Sequence, residues 1–127
     1  MILGIGIDIV HVERIESAVT RGRERLLDRI FTRAEQEEAG SGPGLYERLA
    51  ARFAAKEALF KALGTGWSGG IAWRDAEVRS EPSGRPELSL SGRARQVASG
   101  MGVTRSHLSL SHEGGIAAAV VVLEGQG

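Results

Sequence analysis

The sequence predicts an α+β fold, with helices packed on one side of a mostly antiparallel sheet. Three observations predict it. The opening apolar run, Ile2 to Val10, alternates with period two and reads as a strand. From Val12 to Leu63 the apolar residues recur at helical spacing. After Gly66 short alternating runs return, separated by turn residues, which gives the order strand, helices, long helix, hairpin, helix, hairpin.

Each element has its own signal. In the first strand Ile5, Ile7 and Ile9 share one face, and Gly4, Gly6 and Asp8 share the other. That second face is bare backbone ending in one carboxylate, a pattern that marks close approach of a ligand or another backbone. Asp8 reads either as a ligand group or as a cap for the following helix. Val12 to Val19 fits a short helix with Val12, Ile15 and Val19 inward and Arg14 on the other side. A second helical run is expected from about Arg23 to Ile30, with Leu26, Leu27 and Ile30 inward. Arg21, Arg23, Arg25 and Arg29 make this segment locally basic; it is either a solvated face or a docking patch for an acidic partner. Thr32-Arg33-Ala34-Glu35 is a capping box that starts a helix at Arg33. Ser41-Gly42-Pro43-Gly44 breaks the chain before a long helix from about Leu45 to Leu63. Trp67 to Gly70 reads as loop, and Trp73 to Arg79 with Pro86 to Leu90 as a hairpin turned at Glu81-Pro82-Ser83-Gly84. Ser91 is placed to cap a helix holding Ala94, Val97, Ala98 and Met101, ended by Gly100 and Gly102. His107 to Ser111 is a strand, Glu113-Gly114-Gly115 a turn, and the unbroken apolar run Ile116 to Leu123 a strand expected to be buried on both faces.

Composition narrows the function. At 127 residues and 42% apolar, the chain reads as one domain, 1–127, with a real core. The formal charge is zero, which implies no general affinity for nucleic acid or an acidic membrane. The absence of cysteine excludes a disulfide scaffold and a thiolate metal site, and suits a cytoplasmic home. The opening run is too short to span a bilayer, lacks a basic leader and contains Asp8, so it is read as neither a membrane segment nor a signal peptide.

The long helix carries the chemistry. Ala50, Ala51, Ala54, Ala55, Ala58 and Ala62 cover one broad face, while Leu45, Leu49, Phe53, Phe60 and Leu63 cover much of the other. A helix with small residues on one side and large ones on the other packs on both sides. Arg52, Lys56, Glu57 and Lys61 interrupt it, and charges in such a helix need partners. The plain reading of Glu57 and Lys61 is a helix ion pair four residues apart. The functional reading joins them to Gly64-Thr65-Gly66, since a carboxylate, a lysine and a glycine loop suit a phosphate and a divalent ion. His112, at the mouth of the last hairpin, reads alone as an ordinary structural histidine.

Three separated motifs carry a resemblance to one family. Gly4-Ile5-Gly6-Ile7-Asp8 with Glu13-Arg14-Ile15, the ungapped run Arg52 to Gly66, and Ser109-Leu110-Ser111-His112 before the strand Ile116 to Val122 occur in order, with Gly84-Arg85-Pro86 between. The chain resembles the holo-acyl-carrier-protein synthases, the short type of 4′-phosphopantetheinyl transferase. The resemblance implies an enzyme that moves phosphopantetheine from coenzyme A to a serine of an apo acyl carrier protein, releasing adenosine 3′,5′-bisphosphate. It implies Mg²⁺ held by Asp8 and Glu57, with Lys61 at the phosphate as a catalytic group, and either Glu57 or a metal-held water as base. It further implies that Arg52, Lys56, Lys61, Gly64, Thr65 and Gly66 contact the coenzyme, and that Arg85, Pro86, Ser111 and His112 face them. Family members of this length form homotrimers with sites between subunits. Their carrier partners are acidic, which makes Arg14, Arg21 and Arg25 docking candidates. Trp67 and Trp73 depart from the smaller aliphatic residues expected there. The competing readings are a non-catalytic coenzyme A or nucleotide-binding module, which would lack a carboxylate, and a purely structural trimer subunit.

Overall fold

Glycine in the opening strand decides how the molecule is assembled. In the computed structural model, which describes residues 1–66 and 69–126 with the side chain of Arg23 apart, β1 spans Ile2–His11. Its glycine face lies directly on the helix α3, Leu45–Leu63. A Cβ at Gly4 would overlap the carbonyl of Ala62, and one at Gly6 would overlap the carbonyl of Ala58. The alanines of α3 answer the glycines of β1, so the two backbones meet with almost nothing between them. The expected close approach is therefore that of another backbone. Ile5, Ile7 and Ile9 face the other way and stand 61%, 56% and 63% exposed.

The strand β5, Ile116–Gly125, pairs antiparallel with both β1 and β4, Val103–Glu113, giving a three-stranded sheet in the order β1-β5-β4. Gly114 and Gly115, both at positive φ, make the two-residue turn between β4 and β5. Ala117, Ala119, Val121 and Leu123 of β5 are buried under α3, whereas Ala118, Val120 and Val122 are half-buried on the outer face. This corrects the expectation of a strand buried on both faces: helices cover one side of the sheet only. β2, Ala76–Ser80, and β3, Pro86–Leu90, form a separate two-stranded antiparallel sheet.

The helix α1 runs unbroken from Val12 to Ile30, where two helical runs were expected. Gly22 falls on the inward stripe with Val12, Ile15, Val19, Leu26 and Ile30, so packing carries the helix through a residue that costs about 1 kcal/mol. The α2 helix, Arg33–Ala39, begins at the predicted capping box: Thr32 Oγ1 accepts from the Glu35 N–H at 3.2 Å, and Glu35 accepts from the Thr32 N–H at 2.9 Å. The expected strand from Trp73 begins instead as a 3-10 turn, Trp73–Asp75. The ring of Trp73 stacks on Phe53 at 4.9 Å and tilts over Phe60 at 5.5 Å, which fixes this segment by side-chain packing rather than pairing. The α4 helix, Gly92–Met101, follows Ser91, whose hydroxyl does not cap it; the Asp75 carboxylate accepts from the Ala94 N–H, and Gly102 rather than Gly100 ends the helix. Among the described residues no helix is long and apolar enough to cross a membrane.

Candidate active site

The glycine–alanine contact delivers Asp8 to the charged end of α3. Asp8 lies two residues beyond Gly6 on the same face of β1, so it emerges where the helix turns its Glu57 and Lys61 side chains outward. Lys61 Nζ donates to Asp8 Oδ1 at 3.0 Å and to the Ile7 carbonyl at 3.0 Å. Glu57 is half-buried beside them. Burial pushes the Glu57 carboxyl above its ordinary value of 4.5 and the neighbouring charge of Asp8 pushes it further, against the opposing pull of Lys61 and Arg14. The local Glu57–Lys61 pair is thus replaced by a longer-range one, Asp8–Lys61, formed across 53 positions of the sequence. Asp8 does not cap α1, which has no side-chain cap.

Two carboxylates from distant segments converge here. Among the described residues no group of three or more His, Cys, Asp or Glu gathers to hold a metal. The pair nonetheless fits a hard divalent ion that takes most of its ligands from phosphate oxygens and water. Asp8 is held 14% exposed in the sheet, Glu57 is half-buried on α3, and Lys61 already lies as a cation at 3.0 Å from Asp8 Oδ1.

The glycine loop behaves differently from expectation. Gly64 closes α3 in the left-handed conformation, its N–H bonded to the Lys61 carbonyl, and the Gly66 N–H bonds back to the Phe60 carbonyl at 3.2 Å. These two amides seal the helix end, so they are not outward donors for a phosphate. Thr65 Oγ1 reaches the Gly66 carbonyl at 3.3 Å. Trp67 lies outside the described residues.

Arg52, Ser111 and His112 share the wall of a second feature, a cavity of about 450 Å³ that also borders Glu38, Arg48 and Ser80. Arg52 is buried, one of its terminal nitrogens donates to the Arg48 carbonyl at 3.3 Å, and its Nε has no hydrogen-bond partner among the described residues. A buried donor left unpaired on a cavity wall is open to an acceptor from outside the chain. Glu38 and Arg48 were not singled out from the sequence; their signal, a helix carboxylate and a helix arginine among many, is too common to find them.

Lys56 requires a correction. It is 0% exposed, and its ammonium is bound to Glu35 Oε1 at 2.8 Å, to the Trp73 carbonyl at 3.2 Å and to the Ala76 carbonyl. Glu35 Oε2 accepts from the Val78 N–H at 2.8 Å. Lys56 therefore ties α3 to α2 and β2 in the interior, and no coenzyme contact is open to it. Burial draws its ammonium below the usual lysine value while Glu35 pulls it back up.

Arg85 and Pro86 line a third feature, a cleft of about 350 Å³ between β3 and β4, together with Arg105 and His107. His107 lies 3.0 Å from Glu124, and that contact holds the exposed Glu124 carboxyl below its ordinary range. The alternation of β4 put His107 on the face of Ser109 and Ser111, but the cleft opposite Arg85 is a tertiary feature. Arg14, Arg21 and Arg25 are all exposed, and because α1 is continuous they fall on one face at spacings of seven and four. One chain thus brings together Asp8, Glu57 and Lys61, and leaves the Arg52 cavity and the Arg85 cleft apart from them. Asp8 shares a sheet row with Ala119 and Leu110, two strands and about 10 Å away across the sheet.

The chain thus presents an antiparallel sheet with helices on one side and, at a helix end, a lysine paired with the Asp8 carboxylate. The chain belongs to the 4′-phosphopantetheinyl transferase superfamily, whose family model matches residues 4–121. It is 53% identical over 124 residues to a holo-[acyl-carrier-protein] synthase of Koribacter versatilis, covering 98% of this chain and 99% of that one. Among solved structures it is similar to the holo-[acyl-carrier-protein] synthase of Neisseria meningitidis, with a TM-score of 0.88 and 35% identity over 98% of this chain and 99% of that one. It is also similar to the holo-(acyl-carrier-protein) synthase of Bacillus anthracis in complex with CoA (3′,5′-ADP), with a TM-score of 0.82 and 40% identity over 99% of each chain.

Proposed function

We propose that residues 1–127 form one transferase domain that moves 4′-phosphopantetheine from coenzyme A to a serine of an apo acyl carrier protein. The convergence of Asp8, Glu57 and Lys61 is the observation that carries this reading. The serine oxygen forms a bond to the phosphorus that carries the pantetheine arm, and the bond from that phosphorus to the bridging oxygen breaks. Adenosine 3′,5′-bisphosphate leaves with the bond electrons. Mg²⁺, held by Asp8 and Glu57, would supply charge stabilisation to the diphosphate. Glu57, or a water held on the metal, would accept the serine proton. Lys61, on a flexible four-carbon stem, neutralises the departing phosphate. Arg52 and His112 offer the cavity wall to a further coenzyme phosphate, with Ser111 beside them.

The remaining parts need a second copy. Arg85 and Pro86 cannot face Asp8 from their own cleft, and the bare isoleucines of β1 form an apolar outer face that suits burial against another subunit. A homotrimer with sites between subunits answers both. The exposed arginine face of α1, Arg14 with Arg21 and Arg25, would dock an acidic carrier. A cytoplasmic location follows the same reading.

The test is to incubate the protein with coenzyme A, Mg²⁺ and an apo carrier, then weigh the carrier. It should gain one phosphopantetheine, and Glu57→Gln should abolish the gain. A protein whose melting point rises with coenzyme A while the carrier mass stays unchanged is a binding module instead.

A further inference from the structure

If Lys61 served only the phosphate, its ammonium would point away from the carboxylates. It does the opposite. It is 53% exposed and free to point into solvent on a long stem, yet it lies at 3.0 Å from Asp8 Oδ1 and is anchored again on the Ile7 carbonyl. Asp8, by contrast, is only 14% exposed and is fixed by the sheet on one side and α3 on the other. The lysine charge thus sits on a carboxylate oxygen at the place where a divalent ion would bind.

We propose that Lys61 is the resident counter-ion of this site and that a divalent cation entering it displaces the lysine from Asp8. The proposal rests on the reading of Asp8 and Glu57 as cation ligands. An ammonium at hydrogen-bond distance from Oδ1 and a divalent ion bonded to the same oxygen would repel strongly at that spacing. One must leave, and the exposed, flexible group is the one that can. Its release is easy because an ion pair of this exposure is weakly held. Cation binding and lysine position are then a single event: the lysine becomes available to the coenzyme phosphates only once the cation has taken its place. Charge at the site stays partly compensated throughout, and the lysine is kept close to where the phosphate arrives.

The test uses the full chain without coenzyme and Mn²⁺ as the probe, with binding read from loss of the free Mn²⁺ resonance. Lys61→Met removes the charge and keeps the stem, and it should bind Mn²⁺ about tenfold more tightly than the unmodified chain. Lys61→Arg keeps the charge and should bind like the unmodified chain. Equal or weaker binding by Lys61→Met, or no binding by either protein, overturns the displacement. Asp8→Asn separates this from the underlying reading. If it abolishes Mn²⁺ binding while Lys61→Met fails to tighten it, the metal site stands and the displacement is wrong. If Asp8→Asn leaves binding untouched, the metal site itself is wrong, and the displacement with it.

Discussion

Lys56 and Lys61 lie five positions apart on one helix, and each meets a carboxylate at about the same distance, 2.8 Å to Glu35 and 3.0 Å to Asp8. The two pairs do opposite things. The first is wholly enclosed and every hydrogen-bonding direction of its ammonium is filled by Glu35 and two carbonyls. The second sits at the protein surface, its lysine 53% exposed. Burial, and not residue type or pair distance, separates the enclosed lysine from the one left accessible to solvent. A motif that presents both lysines in one short run therefore mixes the two roles, and only the partners tell them apart.

The comparison can be broken most forcefully at its buried end. Lys56→Met leaves Glu35 charged and enclosed without its ammonium, and should lower stability by about 3–5 kcal/mol in a denaturant titration. A loss near zero would mean that the interior pair is not what holds α2 and β2 to α3. Gly6→Ala comes next: its Cβ meets the Ala58 backbone, so the cost should reach about 3 kcal/mol. Because the overlap pushes β1 off α3, this variant should also lose transfer, although Gly6 touches no substrate; carrier mass measured well below its melting temperature checks this.

At the exposed end the effects on stability shrink and those on chemistry grow. Lys61→Ala should change stability by less than about 1 kcal/mol, since its pair with Asp8 is more than half exposed on the lysine side. Its turnover should fall about a hundredfold, as expected for loss of one charge at the leaving group. If Lys61→Ala unfolds the protein as readily as Lys56→Met does, the distinction between the two lysines fails. The smallest effect is the most specific. The folded pKa of Glu57 is raised above 4.5, chiefly by burial. Stability from this group is therefore fully present below about 4.5 and lost as pH rises through the raised folded value. Glu57→Gln removes that loss, so in metal-free buffer it should melt slightly above the unmodified chain at neutral pH and converge with it in acid. Melting curves across that range read the sign directly.

Much of this was legible in the sequence, and the reasons are local. The bounds of α3 follow from its alanines and its flanking glycines, and the start of α2 from the Thr32–Glu35 box. The face that carries Asp8 follows from period two. What escaped the sequence depends on the third dimension. Glu35 was visible as a capping residue, but nothing local says that its carboxylate also holds Lys56 and the Val78 N–H. The pattern reads as two helical runs, Val12 to Val19 and about Arg23 to Ile30, and only packing of the inward stripe carries α1 through Gly22. The turn at Trp73 is set by the rings of Phe53 and Phe60, thirteen or more positions away. The glycine loop was read as a set of donors, yet two of its amides are consumed in ending the helix. The meeting of the first strand with the long helix at Asp8 and Lys61 was therefore foreseeable, while the separation of the Arg52 cavity from the Arg85 cleft was not.

The central claim is that Asp8 and Glu57 jointly hold one cation against the diphosphate of coenzyme A. The most direct measurement is an anomalous difference map from crystals grown with coenzyme A and Mn²⁺. The account predicts one peak per chain within about 2.0–2.2 Å of a carboxylate oxygen of each residue, a distance typical of small divalent ions. A peak touching only one of the two carboxylates, or none near them while the coenzyme is bound, would contradict it.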